Sequence, residues 1–116
     1  MRYVLLAYGD ERLLGAMSAG ERDALRSASL ANEEALRLSG RLLSAADPQP
    51  SAATTVQMCG DRLVVAAGPC AGAQGLLTGV FVISARDLNE AIQVAAAMPL
   101  ARAGPIEVRP LLDPAL

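Results

Sequence analysis

Apolar and polar positions along the chain fall into short blocks. Tyr3 to Tyr8 (YVLLAY) is apolar throughout and ends at Gly9-Asp10, which predicts a strand buried on both sides. Glu11 to Met17 reads as a connector. Ser18-Ala19-Gly20-Glu21 has the spacing of a capping box, so a helix is expected from about Ala19 to Ser39, with Gly40 as its stop. At 100° per residue, Leu25, Ala28, Ala31, Asn32, Ala35 and Leu36 share one arc, and Arg22, Arg26, Glu33 and Arg37 the other. Glu33 and Arg37 form a favourable i,i+4 pair. Leu30 on the charged arc and Asn32 on the apolar arc break the pattern.

Leu42 to Ala45 reads as a short strand, and Asp47 to Ala52 as a turn-rich loop. Thr54 to Cys59 and Arg62 to Ala67 flank Gly60-Asp61, which predicts a β-hairpin with a type II′ turn. That register pairs Cys59 with Arg62, Met58 with Leu63 and Val56 with Val65. It gives Val56, Met58, Leu63 and Val65 one shared face, expected to be the core face. Gly68-Pro69 and a small-residue loop then lead to a strand from Thr78 to Ser84. A loop between two buried strands is where a small domain usually places a pocket.

Asp87-Leu88-Asn89-Glu90 has the spacing of a second capping box. Leu88, Ala91, Ile92, Ala95 and Ala96 follow at helical spacing up to Pro99, with Leu100 to Gly104 expected as a loop. Ile106 to Arg109 alternates as a last strand. One amphipathic helix in each half, against mostly antiparallel strands, predicts an α+β, ferredoxin-like single domain over residues 1–116 with two helices on one face of the sheet. Strands as apolar as Tyr3 to Tyr8 require a cover on the other face, and a second subunit is the simplest one.

Composition narrows the chemistry. Hydrophobic residues make up 53% and charged residues 19% of 116 residues, so the chain is expected to build a packed core. Aromatics are 3%, too few for base-stacking platforms. Net charge is −2, which argues against nucleic acid and anionic membrane as partners. Neither Lys nor His occurs, which removes Schiff-base chemistry and the commonest general base and metal ligand. The two cysteines, Cys59 and Cys70, cannot make a zinc site alone, and no metal or cofactor is expected. The opening apolar run is shorter than a signal sequence and no stretch reaches a membrane span, so a cytoplasmic protein with free thiols is expected.

An ordered set of residues resembles the YCII-related proteins, in the branch named for an Asp-Gly-Pro-Phe motif. The opening strand ending Tyr8-Gly9-Asp10-Glu11 is similar, as is the helix ending Ala35-Leu36-Arg37 before Gly40. Thr54-Thr55-Val56 with its hairpin, Gly68-Pro69 and Gly79 continue the likeness, and Asp87-Leu88, Glu90-Ala91, Pro99, Ala101-Arg102, Gly104 and Glu107-Val108-Arg109-Pro110 complete it. The resemblance implies a bacterial, ferredoxin-like dimeric α/β barrel with a pocket between sheet and helices. It also implies a functional link to extracytoplasmic-function sigma factors, beside which such proteins are often encoded, and, for some relatives, activity on small, often chlorinated aromatics. The family's suspected catalytic pair is a His and an Asp. Here the motif Asp is Ala67 and the motif Phe is Cys70; the later polar positions are Gly72, Gln74 and Gly75, and one of two glycines is Thr78.

Each candidate has a structural and a functional reading. Gly68-Pro69 is a tight turn, or a backbone anion cradle. Cys70 stands where an aromatic is usual, which favours a buried, inert thiol over a nucleophile. Arg102 and Arg109 match the family's late arginines, either as ion pairs, Glu107 being the neighbour of Arg109, or as a carboxylate clamp. Asn32 requires hydrogen bonds if buried, from the protein or from a ligand. Tyr8 and Asp10 end a strand; Asp10 reads as a solvated turn residue. The leading expectation is a non-catalytic, homodimeric small-molecule-binding or accessory protein whose ligand-contact candidates are Tyr8, Asn32, Gly68, Pro69, Cys70 and Arg102. The alternatives are an enzyme on a small organic acid or aromatic, with proton work by Tyr8, Asp10 or Cys70, and a structural interaction module with a filled interior.

Overall fold

The computed structural model describes residues 1–49, 52–70 and 76–112. In chain order the elements are β1 (Arg2–Gly9), α1 (Glu11–Ala16), α2 (Ala19–Leu38), β2 (Leu42–Ala46), β3 (Thr54–Cys59), β4 (Arg62–Ala67), β5 (Leu76–Ser84), α3 (Leu88–Ala97), a 3₁₀ turn (Pro99–Arg102) and β6 (Ile106–Pro110). Four strands form one antiparallel sheet in the order β2-β5-β1-β6. With α2 linking β1 to β2 and α3 linking β5 to β6, this is the α+β, ferredoxin-like arrangement the pattern predicts. β3 and β4 form a separate two-stranded sheet inserted between β2 and β5.

Alternation along the central strands sets the two faces of the sheet. Tyr3, Leu5 and Ala7 of β1 and Phe81 and Ile83 of β5 are buried, whereas Val4, Leu6, Tyr8, Val80 and Val82 between them are only partly covered. The buried face packs against Ala91, Val94 and Ala95 of α3 and Met98 after it, with Leu36 of α2 and Leu100 at the margin. The expectation of a first strand buried on both sides therefore holds for one face within a single chain. The other, the open face, is apolar along its middle, and no helix among the described residues lies over it.

Local chemistry explains the helix ends. Ser18 and Glu21 exchange both hydrogen bonds of the capping box, and Ser39 caps the other end of α2 before Gly40 at φ 78°. The second box forms by half. Asp87 accepts from the Glu90 amide, but the Glu90 carboxylate turns to the Arg86 amide and guanidinium. A charge-assisted bond to Arg86 at 2.6 Å outcompetes the neutral amide of Asp87.

Three other expectations are corrected. Glu11 to Met17 is not a connector: Asp10 accepts from the Arg12 and Leu13 amides and starts α1. Leu100 to Gly104 is not wholly a loop, since Pro99 at the first position starts a 3₁₀ turn. In α2 the inward stripe is Leu25, Ser29, Asn32, Glu33 and Leu36, whereas Ala28, Ala31 and Ala35 are exposed. Glu33 is thus drawn to the packed side, and Arg37 pairs with Glu34 instead at 3.5 Å. Leu30 is 54% exposed, in keeping with its place on the charged arc.

The hairpin forms in the predicted register, Val56 opposite Val65, Met58 opposite Leu63 and Cys59 opposite Arg62. Gly60 has φ 64° and no described residue other than glycine, Asp61 included, has positive φ, which fits type II′ rather than I′. Its expected core face is nevertheless in solvent: Val56 is 62%, Met58 58%, Leu63 58% and Val65 57% exposed. The hairpin projects beyond the reach of α2 and α3, and nothing among the described residues covers it.

The loop before β6 is clamped to the end of β1. Asp10 donates to the Ala103 carbonyl and Tyr8 to the Pro105 carbonyl, both at 2.9 Å. Gly104 lies between these bonds, and a Cβ there would stand 1.9 Å from the Tyr8 carbonyl oxygen and 2.9 Å from the Asp10 nitrogen. Backbone cannot yield as a side-chain tip can, so Gly104→Ala should cost about 1–3 kcal/mol or more. Urea unfolding checks this; an unchanged midpoint would show that the crossing is not tight.

Candidate functional site

Two clefts stand out among the described residues. One, of about 320 Å³, lies at the base of the hairpin, between Pro48, Gln49, Ala52 and Ala53 on one side, Pro69 on another, and Leu76 and Leu77 at the start of β5. The other, of about 280 Å³, lies between α3 and β6 and is lined by Ile92, Ala95, Ala96, Ala101, Ile106 and Val108 together with Gly104 and Pro105. Only the second lies between sheet and helix, where the resemblance places a pocket.

The hairpin base is built by turn chemistry. Gly68 takes φ 104°, a conformation that favours glycine, and its amide donates to the Ala53 carbonyl at 2.8 Å. The Thr55 hydroxyl donates to the Gly68 carbonyl at 2.7 Å. These bonds close the hairpin where its two strands leave the body and set the Pro69 ring against the cleft. Both bonds run across the hairpin, continuing the β3–β4 pairing by one step, and they bear on neither the tight-turn nor the anion-cradle reading of Gly68-Pro69.

The six candidate contact residues do not converge. Pro69 lines the hairpin-base cleft, with Gly68 behind it and Cys70 next in the chain. Tyr8 lies opposite Leu77 in the β1–β5 register, and Leu77 lines the same cleft. Asn32 sits half-buried on the inward stripe of α2, and Arg102 is exposed at the end of the 3₁₀ turn, outside both linings. Cys70 is exposed, not the buried thiol expected in place of an aromatic, because the turn carries it away from the core. Cys59 is exposed at the hairpin tip, and both thiols are free. The small residues Ala71 to Gly75 lie outside the described residues.

The open sheet face carries a charged edge. Arg109 donates to Glu107 at 2.5 Å, the ion pair that alternate spacing suggests. The hydrogen bond to Glu107, then its charge, raise the Arg109 pKa, with a smaller electrostatic contribution from Tyr8 on the same face. Sequence reading missed Gln49, Ala52 and Ala53 as cleft walls; in a turn-rich loop nothing in residue type announces which side faces inward. It also missed the approach of α2 to the loop after β2. There burial, and secondarily the charge of Asp47, raise the pKa of Glu33, while Arg37 lowers it.

These observations define an α+β protein of ferredoxin-like fold with an inserted hairpin and an apolar cleft at its base. The YCII-related domain model matches residues 1–114, so the chain belongs to the YCII-related family. No match was found among curated proteins. Among solved structures, 5-chloro-2-hydroxyhydroquinone dehydrochlorinase (TftG) from Burkholderia phenoliruptrix AC1100, in complex with 2,5-dihydroxybenzoquinone, is similar with a TM-score of 0.59 at 13% identity. The match covers 99% of this chain and 97% of that one, and supports the ferredoxin-like fold over the full length.

A raised carboxylate pKa in the folded state means that the native protein binds the proton more tightly than the unfolded chain. Stability contributed by Glu33 is then lost as pH rises from the ordinary value of 4.5 through the raised one. Glu33→Gln should raise the melting temperature at pH 7, and the gain should shrink below that ordinary value. Calorimetry at several pH values measures this; a neutral-pH loss of stability would show that Glu33 is held by a favourable partner. On the same stripe, the Ser29 hydroxyl is buried with no hydrogen-bond partner. Ser29→Ala should therefore stabilise by about 1 kcal/mol in urea titration, whereas a clear loss would reveal a bonded hydroxyl.

Proposed function

We propose that the protein is a homodimeric, small-molecule-binding accessory protein without catalytic activity, whose ligand occupies the cleft at the hairpin base. The observation that carries this reading is the lining of that cleft: two prolines, two leucines and two alanines, with Gln49 to orient a polar group. A volume of about 320 Å³ suits a small organic molecule, whose apolar body would gain from burial. Pro69, the residue that sequence pattern and resemblance both single out, forms one wall. The homodimer is supported by the open sheet face, where Val4, Leu6, Val80 and Val82 make an apolar centre flanked by Tyr8, Glu107 and Arg109. A second copy turned toward that face would bury it.

The second reading is an enzyme on a small organic acid or chlorinated aromatic, favoured by the activity of the dehydrochlorinase that shares the fold. It requires a titratable group at the ligand, and the nearest candidates are Tyr8, opposite Leu77, and Cys70, beside Pro69. A thermal-shift series with small phenols and carboxylates separates the two readings. A ligand at 100 times its dissociation constant should add about 2.7 kcal/mol of stability. The shift should persist in Arg102→Ala and vanish in Ala52→Trp, which fills the cleft from an exposed position. Consumption of the bound compound would establish the enzyme reading, and no shift with any compound would overturn both.

A further inference from the structure

The segments that wall the hairpin-base cleft are free of charge well beyond the cleft itself. No Asp, Glu, Lys, Arg or His falls between Asp47 and Asp61, or between Arg62 and Arg86, in a chain that is 19% charged. The first interval supplies Pro48, Gln49, Ala52 and Ala53, and the second Pro69, Leu76 and Leu77. Burial accounts for part of the second, where Phe81 and Ile83 are enclosed. It does not account for the first, a loop and a mostly exposed strand, where charged side chains are ordinarily at home. The residues of both intervals that lie outside the described ones, Pro50, Ser51 and Ala71 to Gly75, add no charge wherever they are placed.

The titratable groups beside the walls have the wrong sign for an anion. The Tyr8 phenol stands opposite Leu77 and the Cys70 thiol follows Pro69, and such groups are neutral or negative. Asp47, exposed just before Pro48, carries negative charge that adds to the burial raising the pKa of Glu33. A carboxylate seated among two prolines, two leucines and two alanines would lose water and gain no cation from these walls. Gln49 supplies the polarity instead. Its backbone carbonyl accepts from the Ala52 amide at 3.4 Å, a turn that sets both residues at the cleft. A carboxamide both donates and accepts, so it pairs fully with another amide, whereas a carboxylate satisfies only its donor side.

We infer that the hairpin-base cleft selects uncharged molecules and excludes carboxylates, with Gln49 setting the choice by pairing with a neutral carboxamide on a small apolar ring. The inference rests on the ligand-binding reading of this cleft and names the class of ligand.

Calorimetric titration of the full chain with benzamide and benzoate at neutral pH tests it, because the two probes match in shape and differ in charge. Benzamide should bind, and benzoate about 100-fold more weakly. Gln49→Arg, at an exposed position, should reverse the order by adding a cation at the cleft. Ala52→Trp should abolish binding of either probe. Benzoate binding as tightly as benzamide, with loss in Ala52→Trp, overturns the exclusion but leaves the ligand cleft. An order unchanged in Gln49→Arg overturns the role of Gln49. Benzamide binding that survives Ala52→Trp overturns the cleft as the site, and this inference with it. Absence of benzamide binding overturns the inference alone, while the phenol series decides the cleft.

Discussion

Burial of one face of a four-stranded sheet is the constraint on which the rest of this structure depends. Leu5, Phe81 and Ile83 are fully enclosed because α3 brings Ala91, Val94 and Ala95 down upon them. Those alanines are small enough for the helix to lie close to the sheet. Gly79 serves the same closeness from below, since a Cβ there would stand 2.7 Å from the Phe81 ring. With α2 and α3 committed to that face, the described residues hold no helix for the other. The apolar middle of the open face and the projecting hairpin are two results of the same shortage of covering elements.

Much of the architecture was legible because it is local. The capping box at Ser18, the stop at Gly40 and the turn at Gly60-Asp61 each encode a geometry in two to four residues, and each appears as read. Alternation placed Val56 beside Val65 correctly but could not say what lies against that face, because period two reports a shared side and not its cover. The helix α1 escaped notice because six residues are too few for a periodic signal, and only the cap at Asp10 announces it. The inward stripe of α2 was misjudged for a related reason. Alanine is apolar enough to join an arc yet gains little from burial, so Ser29 and Glu33 were free to turn inward in place of Ala28 and Ala31, beside the Asn32 that the arc already held.

The candidate site was less legible than the fold. Gly68-Pro69 was visible as punctuation, and the structure places Pro69 on a cleft wall. The remaining walls come from a loop and from the first residues of β5, which meet only after the chain has folded. Arg102 drew attention as a charge after a helix, but the 3₁₀ turn directs it to solvent. Membership of the YCII-related family fixes the frame on which the cleft sits, while the cleft's own chemistry rests on proline and leucine walls rather than on charge.

The central proposal is that a second copy of this chain covers the apolar surfaces that its described residues leave open. Hydrogen exchange at the amides of the hairpin, followed over a range of protein concentration, tests it most directly. An exposed two-stranded ribbon exchanges rapidly, whereas one seated on a partner exchanges only when the pair comes apart. The account predicts protection of Thr54–Cys59 and Arg62–Ala67 that rises with concentration. Fast exchange of both strands at every concentration would contradict it.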